Sequence, residues 1–359
     1  MEKFLVIQQK MIGDVLASTI ICEHLKIHFP EAEVHYIINE STVAVVKCSP
    51  YIDKIILFEN RFKTSKLDFF QFLKSIKKEK YDAVIDVYCK LESNLISYFA
   101  KAPIKISYEK WYSKFIYTHL FSYSQNPDTK IGLAIENRLL LLTPLIENLE
   151  KPELSPKIFL SKTELQDAFY LLEKSAIDTS KKLLMLGVLG SGANKSYPLD
   201  YLASLVNTLT QNYDINILLN YMPSQKKKVE EFLGLCSERS RAAIHENLFR
   251  SSLRDVLSLL SHCDGYIGNE GGMSNMSKAL DIPNFSIFSP WISKKGWLTY
   301  NRNSANRAVH LEDYRDSNWN KIPKKERKKN ALMLYQKFKP SYIKEELFSF
   351  LDEEVFSNQ

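Results

Sequence analysis

Two segments far apart in the chain hold residues whose types and order suit chemistry: Met11-Ile12-Gly13-Asp14-Val15-Leu16, and Gly268-Asn269-Glu270-Gly271-Gly272-Met273-Ser274-Asn275-Met276. Each follows an apolar run and opens a helix-like run. Each therefore sets glycines, one carboxylate and unpaired backbone N–H groups at the carboxyl edge of a sheet, where α/β proteins bind and react. A helix start offers free N–H groups and the positive end of a dipole, which suits a phosphate or diphosphate. The later segment fits that role, and a carboxylate at the earlier helix start suits a general base. A third segment, Gly190-Ser191-Gly192-Ala193-Asn194-Lys195, puts a lysine directly after a glycine-bearing loop and is a further phosphate candidate.

Each of these has a plainer reading. Asp14 could cap its helix, Lys195 could be a solvated loop lysine, and Gly271 and Gly272 could serve only a tight turn. Glu270 could cap that turn or accept from the hydroxyls of a ligand. Arg61, just past a strand, has a guanidinium that matches the fork of a carboxylate or phosphate. His24 and His28 are four apart on a helix, but Leu25 stands where a metalloprotease has Glu and no third ligand is suggested nearby, so no metal is expected.

The elements that must position these residues alternate. Strands are expected at 4–7, 34–38, 54–58, 81–87 and 104–107. Between them come helices at 15–29, 42–47, 67–78 and 91–101, with another at about 133–149 before the Pro-bearing stretch Lys151–Pro156. The scheme then repeats: strands at 183–188, 215–219, 243–245, 265–267 and 285–288, with helices at 199–211, 224–235, 253–261, 274–280 and 342–351. Such alternation predicts an α/β fold with two doubly wound, Rossmann-like halves facing one another across a cleft. The expected domains are 1–160 and 161–335, with 336–359 a terminal helix free to pack back on the first. Beyond Trp297 the chain turns polar.

Composition sets outer bounds. The 359 residues suffice for two cores, with 45% hydrophobic and 25% charged residues. The net charge of +6 favours an acidic ligand or an anionic surface without pointing to nucleic acid. Five scattered cysteines without a CxxC pair suit a reduced, cytoplasmic protein. The amino-terminal apolar run is too short for a signal peptide, and no stretch approaches the ~18 apolar residues of a membrane span.

Two basic stretches invite a surface role. In Lys101–Phe121, Lys105, Lys110 and Lys114 interleave with Tyr108, Trp111, Tyr112, Phe115 and Tyr117. The plainer expectation is an amphipathic helix with its aromatics in the core; the sharper one is a surface for anionic sugars or a lipid headgroup layer. The run Lys321, Lys324, Lys325, Arg327, Lys328 and Lys329 reads as a solvated loop and helix start, with attraction to an anionic leaflet as the alternative.

Taken in order, these motifs resemble glycosyltransferase family 9, the ADP-heptose:lipopolysaccharide heptosyltransferases. Gly13-Asp14-Val15-Leu16 matches the family's Gly-Asp-Val-Leu, and Lys195 precedes the aromatic–Pro pair Tyr197-Pro198. Glu270 to Asn275 align with Asp-Thr-Gly-x-x-His. The resemblance implies a GT-B fold with the acceptor on the N-terminal domain, the nucleotide-sugar on the C-terminal one, and inversion without metal or cofactor. Asp14 would take the acceptor proton while Lys195 and the 271–274 helix start stabilise the departing diphosphate. The donor would meet Gly190, Ser191, Gln225, Glu270, Gly271, Gly272, Met273, Ser274 and Asn275. The acceptor, an anionic lipid-linked oligosaccharide such as a lipopolysaccharide core, would meet Gly13, Arg61 and Lys110. Peripheral contact with the cytoplasmic face of the inner membrane follows from such an acceptor. Three departures bear on the donor: Asp-Thr-Gly becomes Glu270-Gly271-Gly272, the family's His becomes Asn275, and Gln225 stands where the family has a ribose-holding Glu.

Two other functions compete. A dinucleotide oxidoreductase would share the alternation, but the first βα turn has only Gly13 where GxGxxG is needed. A non-catalytic binder of nucleotide or glycan is motivated by the altered 270–275 segment and opposed by Asp14 and Lys195.

Overall fold

The computed structural model describes residues 2–126, 131–147, 149, 155–175, 177–294, 305–314 and 322–357. Part of the Pro-bearing stretch, together with Trp297 and Lys321, lies outside them. The chain divides into two units, Met1–Phe159 and Leu160–Gln359.

In the first unit the apolar runs become strands covered on both faces. β1 (Lys3–Ile7) is fully buried from Phe4 to Ile7, as expected of the interior of a parallel sheet. It lies between β2 (Glu33–Ile38) and β4 (Ala83–Asp86), with β3 (Lys54–Leu57), β5 (Ile104–Tyr108) and β6 (His119–Phe121) outside them. The order is β3-β2-β1-β4-β5-β6 and every pair is parallel. The order reverses between β1 and β4, so the crevice at their carboxyl ends is the switch point where such sheets take ligands. One face packs Leu5, Ile7, Phe58, Phe72 and Ile96 in a shared core beneath α3 (Lys66–Lys78) and α4 (Leu91–Ala100). Helix α1 (Ile12–His28) is buried along most of its length and packs against α5 (Leu133–Leu140).

Two expectations change here. Residues 101–121 form no amphipathic helix: Tyr108 ends β5 facing inward, and β5 and β6 are joined by successive turns in which Ser113 and Tyr117 point inward while Trp111 and Phe115 stand outside. Strand β6 has only three residues, too few for periodicity to reveal. The helix that begins at Leu133 ends at Leu140 and gives way to turns.

The second unit holds β7 (Lys182–Gly187), β8 (Ile215–Asn220), β9 (Gly265–Asn269), β10 (Asn284–Ile287) and β11 (Asn306–Val309). They form one parallel sheet ordered β11-β10-β9-β7-β8, with its switch point between β7 and β9. The expected strand at 243–245 is reduced to a single bridge between Ile217 and Ile244. Helix α6 (Lys162–Lys174), absent from the sequence reading, opens with a capping box: Ser161 and Glu164 bond each other's backbone N–H, and Arg254 binds the Glu164 carboxylate. The terminal helix Pro340–Phe350 belongs to this unit. Its Ile343, Leu347 and Phe350 are fully buried in the core formed with Leu202, Ile215 and Phe285, an apolar face the second sheet completes.

Candidate active site

Asp14 sits in the first turn of α1, directly beyond the carboxyl end of β1. The turn into the helix is made by Met11 at φ 62° and ψ 113°, a conformation a side-chain-bearing residue holds only at a cost of about 1–3 kcal/mol. The helix start just beyond it is tied down through Asp14 and Ser18. The Arg138 Nη2 group of α5 donates to Asp14 Oδ1 at 2.8 Å, and Arg138 Nε donates to Ser18 Oγ at 2.8 Å. Ser18 Oγ in turn donates to the Asp14 carbonyl, and Tyr36 Oη donates to the Val15 carbonyl. Burial works against the Arg138 charge, and Asp14 together with Tyr108 and Tyr36 more than restores it. The Asp14 side chain remains 29% exposed, and among the described residues no donor is recorded for its second oxygen. One oxygen is thus fixed and the other is open to a ligand. Gly13 lies in the same helical turn.

At the second switch point two connections meet. The loop after β7 folds back so tightly that a Cβ on Gly190 would stand 2.1 Å from the Lys195 carbonyl oxygen. Gly190 N–H donates to Ser196 Oγ, and Gln225 Nε2 donates to the Gly190 carbonyl at 2.9 Å. Gln225 therefore shapes the loop that contains Gly190 and Ser191. The Asn269 amide Nδ2 reaches the carbonyls of Gly187 and Val188, and its Oδ1 accepts from Tyr197 N–H, which staples that loop to β9. Gly268 is confined because a Cβ there would meet the Tyr266 hydroxyl at 2.5 Å.

Helix α11 (Gly272–Ala279) starts immediately beyond β9. Gly271 takes φ +144°, which only glycine adopts freely, and a Cβ there would meet nothing within 4 Å. The backbone is thus exposed to open space at a helix start whose first internal bond runs from Asn275 N–H to the Gly271 carbonyl. Met273 packs on the core, and the Ser274 hydroxyl is bonded to Ser286 and Asn284, so both offer backbone rather than side chain.

Lys195 Nζ lies 3.4 Å from Glu270 Oε1, an ion pair too long to count as a full hydrogen bond, and that oxygen has no other partner. Burial raises the Glu270 carboxyl above its ordinary range, and Lys195 offsets part of the rise. The surroundings of Lys195 are set by tertiary structure and are not legible from its segment. The ammonium groups of Lys195, Lys324 and Lys328 stand 5.5, 5.8 and 4.9 Å from the centre of the Trp291 ring. Trp291 Nε1 is anchored on the Asn194 carbonyl at 2.9 Å. Among the described residues only Lys195 of the three has a carboxylate partner.

Among the described residues Arg61 and Lys110 form no hydrogen bond or ion pair with Asp14 or Lys195. Arg61 is on the surface after β3, held by both oxygens of Glu59. Lys110 opens the turns after β5, with its ammonium 5.7 Å from the Tyr123 ring. His24 is buried with neither ring nitrogen bonded, and burial, then its neighbour His28, lowers it to about 4. Among the described residues no group of three His, Cys, Asp or Glu side chains is placed to hold a metal, and no helix is long and apolar enough to cross a membrane.

Two doubly wound parallel domains, each with its reactive loops at a switch point, define an α/β protein of the GT-B class, and solved structures agree. An Escherichia coli ADP-heptose lipopolysaccharide heptosyltransferase II superposes with a TM-score of 0.71 at 16% identity, covering 98% of this chain and 99% of that one. The E. coli heptosyltransferase WaaC with ADP gives 0.71 at 15% identity, covering 97% and 99%. The sequence then narrows the class. The family model for glycosyltransferase family 9 (heptosyltransferase) matches residues 69–325, and the chain belongs to that family. A lipopolysaccharide heptosyltransferase 1 of Campylobacter coli is 24% identical over 294 residues, 80% of this chain and 83% of the relative. The protein is therefore a glycosyltransferase enzyme, which sets aside the oxidoreductase reading.

Proposed function

We propose that this glycosyltransferase moves a heptose, or a closely related sugar, from an ADP-linked donor to a lipid-linked lipopolysaccharide core acceptor at the cytoplasmic face of the inner membrane. The observation that supports it most is Asp14: a carboxylate at a helix start, one oxygen held by buried Arg138 and the other open. In the proposed reaction the acceptor hydroxyl oxygen attacks the anomeric carbon as its proton passes to Asp14 Oδ2. The bond from that carbon to the diphosphate breaks with its electron pair on the diphosphate oxygen, so the anomeric centre inverts. Lys195 and the exposed backbone at Gly271 and Gly272 receive the charge that develops on the leaving group, without a metal. The relatives named for heptosyl transfer, and the solved neighbour with ADP, support this choice of donor and acceptor.

The test is a panel of ADP- and UDP-sugars given to the purified protein in the presence of a chelator, with binding and slow donor hydrolysis measured. Selective engagement of ADP-heptose is expected. Selective engagement of another nucleotide-sugar would overturn the donor assignment, and loss of all engagement in chelator would overturn the metal-free mechanism.

A further inference from the structure

The sheet edge that bears Asp14 has a second feature. Among the described residues the four most exposed large apolar side chains are Trp111 at 85%, Phe115 at 82%, Met11 at 71% and Leu91 at 70%. All four lie on connections that leave the carboxyl ends of β1, β4 and β5, which are neighbours in the sheet. Each is directly preceded by a lysine: Lys10-Met11, Lys90-Leu91, Lys110-Trp111 and Lys114-Phe115. Three separate connections thus repeat one pairing of a cation with an uncovered apolar side chain.

Single exposed apolar residues are ordinary on a protein surface. A cluster on one edge, each member joined to a cation, is a pattern that water alone does not favour. It matches a layer in which a plane of anionic phosphate overlies hydrocarbon: indole and phenyl rings settle at that boundary while lysine stems run alongside and their ammonium groups stay among the headgroups. Lys114 is partly neutralised by Glu109 at 2.6 Å, so the attraction rests chiefly on Lys10, Lys90 and Lys110. The turns at 110–116 hold their aromatics out because Ser113 and Ile116 fold inward and close the turns by backbone bonds.

We propose that this edge of the first unit docks on an anionic phospholipid bilayer, with Trp111 and Phe115 entering the headgroup boundary and Met11 and Leu91 resting against it. The inference deepens the proposed function, since an acceptor borne on a lipid would then be met at the surface that presents Asp14. Its test does not depend on turnover.

The full chain is sedimented with vesicles of mixed zwitterionic and anionic phospholipid and with vesicles of zwitterionic lipid alone. The wild type is expected to bind the anionic vesicles more tightly and to be released by salt. The double variant Trp111→Ser/Phe115→Ser should lose about tenfold or more in partitioning, the effect of withdrawing two aromatic rings from an apolar layer. Lys90→Gln/Lys110→Gln should reduce the salt dependence. All four sites are on the surface, so melting temperature and ADP binding should stay at wild-type values, and a variant that fails on either is discounted in favour of Phe115→Ser alone. No binding of the wild type to anionic vesicles, or equal binding by the aromatic variant, overturns the proposal. So does a lipid-free dimer that the aromatic variant dissolves, because the surface would then be covered by a second copy. If vesicle binding is seen but no nucleotide-sugar is engaged, the donor reading fails and the docking surface stands.

Discussion

Arg138 Nη2 lies 2.8 Å from Asp14 Oδ1, joining residues from the two helices that pack side by side on one face of the first sheet. The guanidinium also donates to Ser18 and to the Ala134 carbonyl, so it is fixed before any ligand arrives. Asp14→Asn should lower kcat by about 10²–10⁴, the usual contribution of a positioned base, while ADP binding stays near wild type. Arg138→Leu should cost stability as well as activity, about 1–3 kcal/mol, because it removes the donor that Asp14, Ser18 and the Ala134 carbonyl share. Thermal unfolding alongside initial rates separates the two variants: Asp14→Asn should melt within a few degrees of wild type, and Arg138→Leu should not.

That pairing marks where the sequence stops being readable. The strands were legible because parallel interiors demand unbroken apolar runs, and Gly13-Asp14 and Gly271-Gly272 were legible because helix starts at a sheet edge have a short, stereotyped grammar. Arg138 was not, since a buried arginine on the apolar side of α5 is written the same way as a solvated one. Strand β11 contains Asn306 and Arg307 on a sheet edge and lacks the apolar run that would announce it. Lys324 and Lys328 looked like a solvated helix face, and their closeness to Trp291 is a fact of tertiary structure alone. The 101–121 stretch forms turns where a helix is expected, because period alone cannot tell inward from outward aromatics in consecutive turns.

Among the described residues, three ammonium groups around Trp291 have one carboxylate among them, Glu270, which leaves unbalanced positive charge beside the Gly190 loop and the start of α11. A diphosphate would balance it. Lys324→Gln/Lys328→Gln should weaken ADP about tenfold in total, with a smaller loss for AMP and a shallower salt dependence. Calorimetry with ADP and AMP at two ionic strengths measures this, and equal losses for both nucleotides would show that the lysines do not read the second phosphate.

The Gly190 loop offers a sharper steric test. Gly190→Ala places a methyl against the Lys195 carbonyl, so Lys195 must move, whereas Gly271→Ala adds a methyl to open space and in the chain without ligand suffers only from φ +144°. Gly190→Ala is expected to lose ADP affinity by tenfold or more. Gly271→Ala should lose about 1–3 kcal/mol of stability or local order, and its methyl would also stand where the backbone is offered to the diphosphate. Affinity and melting temperature measured for both variants decide between the two costs.

Glu270 should make donor binding depend on pH. Burial already raises its carboxyl, and Lys195 is what restrains the rise. When a diphosphate draws on Lys195 and adds its own negative charge, protonated Glu270 is favoured further, so binding takes up a proton. Affinity then falls as pH increases through the titration of Glu270, and Glu270→Gln should bind ADP more tightly at the upper end and with little pH dependence. Calorimetry in buffers of different ionisation enthalpy counts the proton directly, and an uptake unchanged in Glu270→Gln would assign it elsewhere.

Asp86, at the carboxyl end of β4, should set the pH dependence of stability in the first unit. It is fully buried, and burial raises it to about 6 against the pull of Tyr117 and the Cys89 N–H. The Tyr117 hydroxyl faces two acceptors, Asp86 Oδ2 at 2.6 Å and Asn94 Oδ1 at 2.8 Å, but has one proton to give. A neutral Asp86 resolves this by donating to Tyr117, which then donates to Asn94. An unfolded aspartate gives up its proton near pH 4, so between about 4 and 6 the folded chain binds more protons and stability declines as pH rises, by about 3 kcal/mol in all. Asp86→Asn supplies an amide donor at the same place and cannot ionise. The variant should therefore be as stable as wild type near pH 4, more stable at pH 7, and flatter between, as urea unfolding across that range would record. A wild-type slope retained in Asp86→Asn would assign the titration to another group.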